Sequence, residues 1–194
     1  PNRVGEYLPW DAWNVAPDYR DAISAYMQDE PVSREYLQFI VEELKPFVDA
    51  NYRTRPGRDD TLLMGSSMGG LISLYALVRY PGVFGGAACV STHWPSTMMP
   101  DNPEANEPFL DFLRESIPAP GKHRIYFDFG TAELDALYEP HQRQVDGVMR
   151  QLGYEPGPLW QTRKFEGEGH NEPAWNRRAH IPLTFLLGTD NNKE

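Results

Sequence analysis

The amino-acid sequence predicts an α/β fold, a parallel sheet with helices flanking both faces. Three observations lead there. Short apolar runs alternate along the chain with segments whose apolar residues recur at helical spacing. The runs are continuous and do not alternate polar with apolar, so each strand is expected to be covered on both faces, as parallel strands are. Glycine and proline, 16 and 18 in number, fall mostly between these segments and mark their ends.

Residues 1–33 carry four prolines and many aromatics (Tyr7, Trp10, Trp13, Tyr19, Tyr26) and read as a packed irregular segment with a short helix near Tyr19–Met27. From Ser33, a candidate N-cap, the residues Tyr36, Leu37, Phe39, Ile40, Leu44, Phe47 and Val48 follow helical spacing, and Pro46 is placed to kink the last turn. After a polar loop, Thr61–Met64 reads as a strand, Leu71–Tyr80 as a helix stopped by Pro81-Gly82, and Gly85–Ser91 as a second strand. Residues 92–120 form a proline-rich excursion with a short helix around Phe109, Leu110, Phe112 and Leu113. Arg124–Phe129 is a third strand, Pro140–Leu152 a helix stopped at Gly153, and Leu159–Phe165 a fourth strand. Trp175–Leu187 is a last helix, started or interrupted by Pro182.

The 194 residues, 40% apolar, suit a single domain over 1–194. A net charge of −10 repels nucleic acid and anionic membranes, and favours a neutral or cationic small substrate. No apolar stretch approaches the roughly 18 residues of a membrane span. The single cysteine, Cys89, excludes an intrachain disulfide and reads as a small buried hydrophobe.

Gly65-Ser66-Ser67-Met68-Gly69 matches G-x-S-x-G, and it stands where an apolar strand meets an apolar helix. That context gives the pattern its chemistry. A serine hydroxyl is a poor nucleophile and must protrude toward a base, which a sharp strand-to-helix turn achieves. Small residues two before and two after let strand and helix approach. The helix N-terminus faces developing negative charge, with the Met68 N–H as an oxyanion donor. The alternative is a glycine-rich turn holding an anion; a P-loop is excluded, because no Lys-Ser/Thr pair follows the glycines.

In a fold with this elbow the chain order is Ser, then Asp or Glu, then His. Of the five histidines, His170 lies directly after the fourth strand in Phe165-Glu-Gly-Glu-Gly-His170, and is the candidate base. His141 and His180 fall in helices and His123 before a strand; all three are expected to be surface residues. His93, after the second strand, is expected with Trp94 on the wall of a substrate pocket. The third strand ends in a loop holding two candidate acids, Glu133 and Asp135, with Asp135 preferred; both also suit the N-terminus of the helix that follows. Asp128, inside the strand, is a weaker candidate. The histidines show no metal-ligand spacing, so no metal and no cofactor are expected.

These residues carry a resemblance. Gly65-Ser-Ser-Met-Gly-Gly-Leu71, Phe127-Asp-Phe-Gly-Thr131 with Leu134-Asp-Ala-Leu-Tyr138, and Gly167-Glu-Gly-His-Asn-Glu172 with Trp175 resemble the putative-esterase family of α/β-hydrolases, which includes esterase D, enterochelin esterases and feruloyl esterases. The opening Arg3…Glu6-Tyr-Leu-Pro-Trp10 is similar as well. The resemblance implies an α/β-hydrolase fold, Ser67 as nucleophile and His170 as base. Asp135 fits the acid position of some members and Glu133 that of others. It also implies that the family's N-terminal part, with its first strands and the loop donating a second oxyanion N–H, is missing from this chain. An exposed central strand would then favour a homo-oligomer. The implied activity is hydrolysis of a small-molecule ester, sugar-linked or aromatic, through an acyl-enzyme. The alternatives are acyl transfer by the same triad, with Trp94, Met98 and Met99 shaping the acceptor side, and a truncated, non-catalytic remnant or piece of an assembly.

Overall fold

The computed structural model describes residues 3–15, 20, 30–94 and 107–188. Four parallel strands, β1 (Leu62–Ser66), β2 (Gly86–Val90), β3 (Arg124–Gly130) and β4 (Trp160–Phe165), form one sheet in the order β1-β2-β3-β4. The register pairs Ser66 with Val90, Val90 with Asp128 and Gly130 with Phe165, so the strands' C-terminal ends lie along one edge.

Strand periodicity sorts the core onto two faces. Ala87 and Cys89 of β2 and Ile125 and Phe127 of β3 share a cluster with Leu71, Leu74 and Leu77 of helix Met68–Arg79 and Val145, Val148 and Met149 of helix Tyr138–Gln151. The intervening Ala88 and Tyr126 pack on the opposite face against Leu186 of helix His180–Leu187. β2 is therefore buried throughout, whereas β1, at the end of the sheet among the described residues, is only partly covered and leaves Met64 40% exposed.

Among the described residues the helices, in chain order, include α1 (Arg3–Tyr7), α2 (Trp10–Val15), α3 (Ser33–Gln38), α4 (Lys45–Asn51), α5 (Met68–Arg79), α6 (Glu107–Ser116), α7 (Tyr138–Gln151), α8 (Glu172–Arg178) and α9 (His180–Leu187). A π-helical stretch, Phe39–Leu44, joins α3 to α4, and a short 3-10 turn, Glu133–Leu137, precedes α7.

Several sequence expectations change. Helices α1 and α2 replace the irregular opening; the short helix expected near Tyr19–Met27 lies outside the described residues. Asp11 ties α2 to the core, accepting from the Tyr75 hydroxyl at 2.7 Å and pairing with Arg34 and Arg79. Ser33 is not the N-cap: Val32 holds that place, and the Ser33 hydroxyl accepts the Trp10 N–H at 3.0 Å. Pro46 sits in the first turn of α4, directly after the π stretch, whose wider turn accommodates the missing N–H. The last helix breaks at Ala179 rather than Pro182, because Ala179 closes a tight turn to the Asn176 carbonyl before α9 begins. His123 is buried, not solvated, with Nε2 2.9 Å from the Pro81 carbonyl. His141 is also buried, on the inward face of α7.

Candidate active site

Each strand delivers one part of the site just past its C-terminal end. β1 ends in the G-x-S-x-G turn. Ser67 holds φ 58° and ψ −126°, a strained conformation for a non-glycine residue, fixed by Ser67 N–H donating to the Val90 carbonyl at 2.9 Å and by helix α5 starting at Met68. The turn is as tight as its sequence implies at Gly65, where a Cβ would stand 2.3 Å from the Gly69 carbonyl oxygen. At Gly70 a Cβ would stand 2.8 Å from Thr92 Oγ1. Gly69 differs from expectation: a Cβ there would meet nothing within 4 Å, so Gly65 and Gly70 are the positions that close strand onto helix. The Met68 N–H heads α5 and has no intrahelical acceptor.

β4 leads into the loop carrying His170. Its Nε2 lies 2.9 Å from Ser67 Oγ, and its Nδ1 2.6 Å from Asp135 Oδ1. The chain thus brings together residues 67, 135 and 170 in one hydrogen-bonded series. Tyr138 and Trp175 hold the imidazole edge-on from two sides, at centroid distances of 5.4 and 5.0 Å. The loop carrying Asp135 is tied to the His170 loop by the Thr131 and Ala132 N–H groups, both donating to the Glu168 carbonyl.

Asp135 is fully buried, and its second oxygen accepts from Gly130 N–H at 2.6 Å and from Ser91 Oγ at 2.5 Å. Burial pushes this carboxyl up, but the hydrogen bonds from His170, Ser91 and Gly130 outweigh it and hold it below the ordinary carboxylate range. An ionised Asp135 can only accept, so the proton shared with His170 sits on Nδ1 and Nε2 is left to accept from Ser67. Glu133, the alternative acid, is exposed and takes the Asn171 amide at 3.0 Å instead.

The two expected pocket-wall residues separate. His93 is beside the turn, its N–H donating to the Ser67 carbonyl at 3.2 Å and its Nδ1 2.7 Å from the Tyr138 hydroxyl. Burial, with the neighbouring His170 and His141, pushes His93 down to about 4, so it is neutral at neutral pH. Trp94 is a correction: only 1% exposed, it packs on Phe109 and Phe127 and donates Nε1–H to Gln142, and it offers no surface to a ligand. Its large apolar ring, packed between Phe109 of α6 and Phe127 of β3, belongs to the core rather than to a pocket. Met98 and Met99 lie outside the described residues. A cavity of about 730 Å³, lined by Trp10, Arg34, Arg79 and Asp111 among others, does not include the Ser67–His170–Asp135 series.

Sequence reasoning missed Ser91 and Arg178. Ser91 follows β2 as Ser67 follows β1, and that shared position at the sheet edge was the available signal. Arg178, 3% exposed, donates to Ser91 Oγ at 2.6 Å and to Asp128 Oδ1 at 3.1 Å; in sequence it is one of two arginines in a last helical turn, where exposed cations are common. Asp128 is not a candidate acid, since this buried pair occupies it.

A parallel sheet, a strained serine between strand and helix, and a histidine from the loop after the last strand define an α/β-hydrolase architecture. The chain belongs to the putative esterase family, whose model matches residues 7–181. It is 26% identical over 194 residues to the uncharacterised protein YbbA of Bacillus subtilis, covering 96% of this chain and 70% of that protein. Among solved structures it is similar to an IroE-like serine hydrolase of Shewanella oneidensis, with TM-score 0.64, 17% identity, and coverage of 96% of this chain and 56% of the other. It is also similar to an enterobactin esterase of Shigella flexneri, with TM-score 0.60, 18% identity, and coverage of 90% and 41%. The chain thus spans about half the length of these two structural relatives, and at such identities the likeness speaks for the fold.

Proposed function

We propose that this chain is a serine carboxylic-ester hydrolase acting through Ser67, His170 and Asp135. One observation carries the reading: a serine on a strained strand-to-helix turn lies 2.9 Å from an imidazole nitrogen whose partner nitrogen lies 2.6 Å from a buried carboxylate. The membership in an esterase family supports it.

The steps follow from the geometry. Ser67 Oγ attacks the ester carbonyl carbon while its proton passes to His170 Nε2. The carbonyl oxygen, now negative, accepts the Met68 N–H at the head of α5. The tetrahedral centre collapses, the C–O bond to the alcohol breaks, and the alcohol leaves with the proton from His170. Water attacks the acyl-Ser67 ester, giving its proton to His170, and the acid departs as Ser67 recovers its proton. Asp135 holds the imidazole in the required tautomer and stabilises the imidazolium without taking the proton. The substrate is a small-molecule ester; His93 and Trp175 are the candidates to contact it.

Steady-state turnover of p-nitrophenyl acetate tests this. Wild-type chain is expected to turn over and Ser67→Ala to fall to background. A folded wild type with no turnover, or equal turnover in both, would overturn the reading.

A further inference from the structure

We propose that Arg178, acting through Ser91, is a positioning residue for Asp135; the inference rests on the hydrolase reading above. Arg178 and Asp128 form an ion pair with side chains 3% and 0% exposed, directly behind the candidate acid. Arg178 Nη2 reaches Ser91 Oγ at 2.6 Å and stands 3.8 Å from Asp135 Oδ2. Ser91 Oγ reaches the same Asp135 oxygen at 2.5 Å.

The chemistry of the donors fixes the direction of this chain. A guanidinium only donates, so Ser91 must accept from it. A serine hydroxyl has one hydrogen, and an ionised Asp135 can only accept, so that hydrogen is directed to Asp135. Gly130 N–H fills the remaining approach to Oδ2 at 2.6 Å. The carboxylate is thereby locked with Oδ1 toward His170. Ser91 pays for its place with φ 42°, a left-handed conformation that non-glycine residues adopt only when their surroundings impose it. Asp128 holds Arg178 from behind, through both Nε and Nη2, and also accepts the Ser91 N–H at 3.2 Å and the Tyr126 hydroxyl at 3.1 Å. The cation is thus oriented by β3 and presented by α8 to the loop after β2.

The charged or titratable groups around the Asp135–His170 pair are Asp128 from β3, Arg178 from α8, Tyr138 and His141 from α7, His93 after β2, and Glu133 beside Asn171. Among the described residues Arg178 is the cation that approaches Asp135, at 3.8 Å. Its removal takes that positive charge from behind Asp135, and the acid limb of activity is expected to move to higher pH.

The test compares wild type, Arg178→Met, Arg178→Lys and Ser91→Ala, measuring kcat and KM per fluorophosphonate-titrated site across pH. Arg178→Met is expected to lower kcat roughly 10- to 100-fold with KM within about twofold, and to raise the acid-limb midpoint by about half a unit or more. Arg178→Lys keeps the charge without the fork, so it restores the midpoint and only part of kcat. Ser91→Ala is expected to lower kcat roughly tenfold, and it decides the matter if Arg178→Met does not fold. Folded variants with wild-type kcat and midpoint would overturn the inference alone. A wild type that neither labels nor turns over would overturn the hydrolase reading and this inference with it.

Discussion

Replacing Asp135 by asparagine separates the shape of the site from its proton arrangement. The side chains are isosteric, and the surroundings dictate how the amide sits. The position of Oδ2 is faced by Ser91 Oγ at 2.5 Å and by Gly130 N–H at 2.6 Å, and the backbone N–H can only donate. The amide oxygen must take that position. The NH2 group then points at His170 Nδ1, 2.6 Å away in the native chain, and that nitrogen must accept. Its proton moves to Nε2, the atom that should take the Ser67 proton. Geometry survives and the base is lost. The analogous change in Ser-His-Asp proteases costs on the order of 10⁴ in rate, so a fall of roughly 10³- to 10⁴-fold in kcat is expected, or about 4–5.5 kcal/mol of barrier. The assay is p-nitrophenyl acetate hydrolysis near pH 7.5, with circular dichroism to verify folding. A folded Asp135→Asn chain within tenfold of wild type would refute the reasoning.

Other outcomes follow from the same coordinates. Glu133→Gln, at an exposed side chain bound to Asn171, is expected to keep kcat within about threefold, since surface changes of this kind cost little; a collapse of activity there would move the acid role to Glu133. Gly65→Ala is expected to lose about 1–3 kcal/mol in urea unfolding, because its Cβ would stand 2.3 Å from a backbone oxygen, whereas Gly69→Ala, facing open space at the head of α5, should gain up to about 1 kcal/mol. Equal effects at the two glycines would contradict the packing described. His93 is held down to about 4 by burial, so its folded value is depressed. Its contribution to stability is present above its unfolded value near 6.5 and is lost as pH falls toward 4, on the order of 2–3 kcal/mol. Melting temperatures between pH 7 and pH 4 should therefore fall less steeply in His93→Gln than in wild type, and identical slopes would exclude this role.

β2 and β3 were legible because both are buried on both faces and so appear as apolar runs, as in Gly86–Val90, whereas β1 and β4 at the sheet's ends are only partly buried. The turn at Ser67 was legible because strain and close packing restrict it to small residues, and chain order then selected His170. What stayed hidden depends on tertiary contacts. Asp135 and Glu133 are two residues apart in one short turn, and only the turn's fold shows that one is buried beneath His170 while the other faces out. Trp94 and His141 looked like pocket and surface residues, because local sequence does not show that the sheet and α7 bury them. Arg178 reads as a helix-terminal cation until the end of β3 places Asp128 beside it.

The most direct measurement is covalent. Folded wild-type chain incubated with a fluorophosphonate and digested for mass spectrometry should carry the phosphonyl group on Ser67, and His170→Ala should react far more slowly. An unmodified Ser67, or modification at an equal rate without His170, would contradict the claim that this imidazole activates that hydroxyl.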